Sequence, residues 1–122
     1  MDAPNRSIIA YIAGHLITGP GNWWLHDHDR RRKVQFEASF EPGTVKVYSH
    51  ELHSHVIGVG SEGKYALFQH GIAGALDLLV NVEERTFSGW EHASCCHFHG
   101  TVEENIVTLY DFQDLKWHRY TL

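Results

Sequence analysis

Lys33-Val34-Gln35-Phe36-Glu37-Ala38-Ser39-Phe40 alternates strictly, with Val34, Phe36, Ala38 and Phe40 on one side of an extended chain and Gln35, Glu37 and Ser39 on the other. A period of two marks a half-buried β-strand, because successive side chains of a strand point to opposite faces. The turn Glu41-Pro42-Gly43 follows at once, and then Thr44 to His50, where Val45 and Val47 alternate with Lys46 and Tyr48. The spacing predicts a hairpin.

The same signature runs on toward the C-terminus. Leu52 to Val59 ends in the turn Gly60-Ser61-Glu62-Gly63 and leads into Lys64 to His70. Leu76 to Val82, Arg85 to Trp90, Cys95 to Val102, Asn105 to Asp111 and Leu115 to Thr121 follow at short, regular spacing. Ile8 to Thr18 is a further strand candidate. It and Ile72 to Val80 are also apolar enough for a buried helix, but Gly14, Gly71 and Gly74 weaken that reading, and β-branched residues dominate the first. The predicted fold is all-β, one domain over residues 1–122: a small antiparallel β-barrel of about eight to nine short strands, with a β-sandwich as the alternative. No internal repeat, low-complexity tract or linker is read from the chain.

With 122 residues, 43% apolar and 20% charged, the chain has the composition of an ordinary globular domain. A domain of that size is stable without disulfides or a structural metal, so a bound metal is expected to be functional. No run approaches the roughly 18 apolar residues of a membrane helix. The run from Ile8 lacks the pattern of a signal peptide, and the expected location is cytoplasmic. Cys95 and Cys96 are adjacent, too close for ordinary disulfide geometry, and are read as free thiols. The net charge of −5 argues against nucleic acid as the main partner, despite the basic run Arg30-Arg31-Arg32-Lys33. Association into a homo-oligomer is compatible with all of this.

Gly21-Asn22-Trp23 resembles the Gly-x-Trp that opens the barrel of the calycins, the group containing lipocalins, avidins and fatty-acid-binding proteins. The resemblance implies that Trp23 closes one barrel end under a basic side chain of the last strand, here Arg119 with Lys116 nearby. Four Trp, five Tyr and six Phe would line a pocket for an apolar or aromatic small molecule, with Trp23, Phe36 and Arg119 as the candidate ligand contacts.

Eleven histidines, as many as glycines, ask for a reason. Six of them form the His-x-His pairs His26/His28, His53/His55 and His97/His99, and on a strand both members of each pair share a face. Two imidazoles about 6 to 7 Å apart along a strand suit one divalent transition metal: Zn, Cu, Ni or Fe. The densest constellation is His50-Glu51-Leu52-His53-Ser54-His55, and His53 and His55 share a face with Ile57 and Val59, which predicts that they point inward. His97 and His99 lie opposite Phe98 and Val102 and are either ligands or solvent-facing. The candidate metal ligands are therefore His50, Glu51, His53, His55, His97 and His99. His26 and His28, among Asp27, Asp29 and the arginines, read as a surface loop.

These residues predict a small-molecule-binding barrel with a histidine cluster holding a divalent transition metal at its pocket. The alternative is a metal-free isomerase, lyase or cyclase in which histidine and carboxylate move protons inside the barrel. No nucleophile elbow and no Gly-rich phosphate loop accompanies the histidines.

Overall fold

Asp2-Ala3-Pro4 starts a helix: the Asp2 carboxylate accepts from the Asn5 N–H at 3.0 Å, and Pro4 sits in the first turn, where its missing N–H costs nothing. The helix, α1 (Ala3–Thr18), ends where Gly19 turns to φ 98° and donates to the His15 carbonyl. The structure is a computed structural model that describes residues 1–19, 21–70 and 74–122. Ile8, Ile9, Ala10, Tyr11, Ile12 and Ala13 are all at most 4% exposed, so α1 is enclosed on every side.

The enclosure is a closed antiparallel barrel, with ten strands among the described residues. They are β1 (Trp24–Asp27), β2 (Arg32–Glu41), β3 (Thr44–Ser49), β4 (Ser54–Ser61), β5 (Lys64–Gln69), β6 (Gly74–Asn81), β7 (Thr86–Glu91), β8 (Cys96–Glu103), β9 (Ile106–Asp111) and β10 (Lys116–Thr121). Each strand pairs with its sequence neighbours, and β1 closes onto β10 through His26 opposite Thr121 and Asp27 opposite Tyr120. A barrel of about eight strands is filled by its own side chains, and wider ones leave a lumen. Here α1 occupies that lumen and packs on β1, β6 and β9.

Three expectations are corrected. Ile8 to Thr18 is helix rather than strand, so the fold is mostly β with one N-terminal helix. His26, read with His28 as surface loop, lies on β1, the strand that closes the barrel. Among the described residues the interior is filled rather than an apolar ligand chamber, the cavity left between α1 and β4 to β7 measuring about 20 Å³, room for one water. Phe36 accordingly stacks on Tyr11 with ring centroids 4.3 Å apart and belongs to the core. In the second helix candidate, Ile72 lies outside the described residues, and from Gly74 onward the stretch is β6.

The barrel is also a repeated hairpin, which the sequence did not disclose. At the end around the N-terminus of α1, the turns 28–31, 50–53, 92–95 and 112–115 have equal length. Each closes on a left-handed residue: Arg31, His53, Cys95 or Leu115, with φ of 54°, 52°, 53° and 59°. The strand before each turn ends on a buried polar residue: Asp27, Ser49, Glu91 or Asp111. The next residue, His28, His50, His92 or Phe112, donates its N–H to the neighbouring strand at the carbonyl of Arg119, Gln35, Ala75 or His97. A polar ring thus surrounds the first turn of α1, and its carboxylates complement the positive end of the helix dipole.

Candidate metal centre

Repetition of the hairpin accounts for much of the histidine excess. His28, His50, His70 and His92 occupy one position of the repeat, just after an odd-numbered strand. Three of them meet the ring two residues earlier edge-on: His26–His28 at 5.1 Å, Tyr48–His50 at 5.2 Å and Phe68–His70 at 5.2 Å. His97 and His99 join Trp90, Tyr110, Phe112 and Trp117 in a continuous aromatic belt on the outside of β7 to β10. Two histidines are buried: His15 at 4% exposure on α1, and His118 at 5% on β10.

His118 has a carboxylate on each ring nitrogen. Its Nε2 lies 2.8 Å from Asp114 Oδ2, and its Nδ1 bonds Asp29 Oδ2. Asp111, the buried last residue of β9, completes a group with Asp114 and His118 whose ligand atoms lie within 4.8 Å of one another. The turns hold these groups in place: Asp111 Oδ1 accepts from the Gln113 N–H at 2.9 Å, and Asp114 Oδ1 accepts from the Lys116 N–H at 3.0 Å. Each carboxylate therefore spends one oxygen on its own turn and turns the other toward the site. Arg6 of α1 reaches in from the barrel axis, with Nη1 3.2 Å from Asp111 Oδ2 and 3.7 Å from Asp114 Oδ2.

Electrostatics keep Asp114 ionised. Burial pushes its carboxyl up, but the His118 hydrogen bond and charge, the Lys116 N–H and the Arg6 charge together outweigh burial and lower it. Two carboxylate oxygens and one imidazole nitrogen fit a divalent transition metal. A carboxylate on the far nitrogen is also the usual support of a metal-ligating histidine, which Asp29 would supply to a metal at Nε2. Arg6 is the opposing feature, because its charge already neutralises the two carboxylates a cation would use.

The sequence-predicted ligands stand elsewhere. His53 and His55 are exposed, which corrects their inward assignment: the inward side of β4 carries Ser54, Val56 and Gly58, while Val59 is 64% exposed. His50 faces Glu37 at 3.1 Å, and Glu51 binds the Arg30 guanidinium at 2.6 and 3.1 Å. Among the described residues His50, Glu51, His53, His55, His97 and His99 do not gather into one ligand group. Trp23 is 61% exposed and precedes β1, whereas Arg119 meets the backbone of His28 beyond the other end of that strand. The cation lying over an indole is instead Lys33, 4.4 Å above Trp24. Sequence reading missed His118 because it belongs to no His-x-His pair. The one local signal was Asp114 four residues before it, in an Asp-x-x-Asp run after a strand.

Searches of protein families, curated proteins and solved structures found no match to this chain.

Proposed function

We propose that this barrel binds one divalent transition metal, Zn, Cu, Ni or Fe, at its α1 N-terminal rim through Asp111, Asp114 and His118. The observation that carries the reading is the buried His118 imidazole, held between Asp29 and Asp114 with Asp111 in the same ligand group. Binding requires Arg6 to give up its contacts with the two carboxylates, so metal and guanidinium compete for one place. The test is metal content of untagged protein by mass spectrometry, with calorimetric titration of the chelated form. One equivalent should bind, and His118→Ala and Asp114→Asn should each remove it while the barrel stays folded. Substoichiometric metal together with an unchanged Tm on adding Zn, Ni or Cu overturns the reading.

A second reading follows from Arg6. With its guanidinium in place, the same cluster is a metal-free acid–base pair at the rim, His118 exchanging a proton with Asp114 for a substrate approaching from solvent. Arg6→Met separates the two. It should tighten metal binding under the first reading, by removing the competing cation, and leave the protein free of metal under the second.

A further inference from the structure

On the outside of β2 to β4, away from the rim, Trp23 stands over a concavity of about 490 Å³. Its floor is set by strand register: Glu37 lies opposite Tyr48, Ser39 opposite Lys46, and Tyr48 opposite His55. Among the described residues the side chains of Ser39, Lys46, Tyr48 and His55 make no hydrogen bond or ion pair, and Glu37 reaches only His50. The backbone that carries the wall is fixed, while its indole is 61% exposed. The Trp23 carbonyl accepts from the Phe36 N–H at 2.7 Å, the preceding Asn22 carbonyl from the Tyr11 hydroxyl at 2.8 Å, and the following Trp24 lies under Lys33.

The concavity is open to solvent, so a ligand would lie against one face of it, and small-molecule sites combine an aromatic surface with a few placed polar groups. The polar groups decide the ligand class. An apolar or purely aromatic ligand would desolvate Glu37 and Lys46 without satisfying either, a costly outcome for charged groups. A polyanion is opposed by the net charge of −5. The floor presents one carboxylate, one ammonium, one imidazole and two hydroxyls, so it offers both donors and acceptors. A ring with an apolar C–H face and an edge of hydroxyls satisfies wall and floor together.

We infer that this concavity is a binding site for a neutral pyranose sugar, its C–H face against Trp23 and its hydroxyls on Glu37, Ser39, Lys46 and Tyr48. The experiment titrates glucose, galactose, mannose, N-acetylglucosamine and their disaccharides into the full chain, following the indole N–H signals by NMR. At least one sugar should give a saturable shift of the Trp23 signal in the millimolar range. Trp23→Ala should abolish binding without lowering Tm, since that side chain is largely in solvent. Glu37→Gln and Lys46→Met should each weaken binding by about tenfold or more, as expected for loss of a charge-assisted hydrogen bond. Trp117→Ala, an exposed indole on β10, should leave affinity unchanged. The inference is overturned if no sugar gives a saturable shift, if Trp23→Ala keeps saturable sugar-induced shifts of the backbone amides of Glu37, Ser39, Lys46 and Tyr48, or if a free amino acid binds there and the sugars do not.

Discussion

Asp29 touches His118 at Nδ1 and belongs to a different hairpin from Asp111 and Asp114, so its contribution to the rim is orientation. If a metal sits on Nε2, Asp29→Asn should weaken its affinity by about 10- to 100-fold while leaving the stoichiometry at one, as titration calorimetry would read. Equal affinity in the variant would mean that the Asp29 contact is incidental. A second residue-scale case is Arg30, whose guanidinium bonds Asp27 Oδ2 at 2.6 Å, both Glu51 oxygens and Ser7 Oγ at 2.9 Å. Burial lowers its proton affinity, but the hydrogen bonds and charges of Glu51 and Asp27 more than reverse this and raise it. Arg30→Met would leave Asp27, 1% exposed, without its cation, and should cost about 3 to 5 kcal/mol in urea denaturation.

At the scale of elements, β7 and β8 carry paired exchanges of bulk. Phe87 lies opposite Gly100, and Phe98 opposite Gly89. A Cβ on Gly100 would stand 2.2 Å from the Thr108 carbonyl oxygen and 2.4 Å from Phe87 Cζ. Backbone on one side and a buried ring on the other leave nothing soft to yield. Gly100→Ala should therefore destabilise by about 2 kcal/mol or more, within the range for overpacked cores, and a midpoint unchanged in denaturant would refute that packing.

The helix carries the pH response. Burial pushes His15 below the ordinary histidine value, against a smaller upward pull from its bond to the Gly19 carbonyl at 3.1 Å. Its depressed folded value means that the unfolded chain takes up the proton first, so stability is full above about pH 6.5 and falls as pH drops through that value. The loss levels off once the folded form is protonated as well. His15→Phe, set against Tyr11 and Phe40, should flatten that part of the Tm-against-pH curve, and an unchanged slope would assign the acid loss to other groups.

For the molecule as a whole, α1 runs through the core of the barrel. Ile12 is 0% exposed at its centre, and Ile12→Ala should cost about 2 to 5 kcal/mol, a cavity-sized loss. Calorimetry showing less than about 1 kcal/mol would mean that the strands collapse onto the helix and refill the space. The rim cluster depends on this same packing, because Arg6 and Ser7 reach the turn carboxylates only when the helix is seated.

The strands from β2 to β10 were legible in the sequence because alternation and turn chemistry act between near neighbours, and either face assignment leaves the strand in place. The faces themselves were not. In β4 the apolar count favours Ile57 and Val59 as the inner side, yet the chain turns Ser54, Val56 and Gly58 inward, where a Cβ on Gly58 would fall 2.1 Å from Leu67 Cδ2. With a helix in the lumen, the side with small residues goes in and His55 goes out. The helix was only the weaker reading of Ile8 to Thr18 for a related reason: buried all round, it has no polar face to reveal a period of 3.6, and only Asp2 and Pro4 mark its start. Local sequence thus determined strand content, turn positions and free cysteines. Tertiary structure alone decided that β1 closes on β10 and that Asp29 meets His118 across 89 positions. Barrel closure and a filled lumen are properties of the whole set of strands, and no segment carries them by itself.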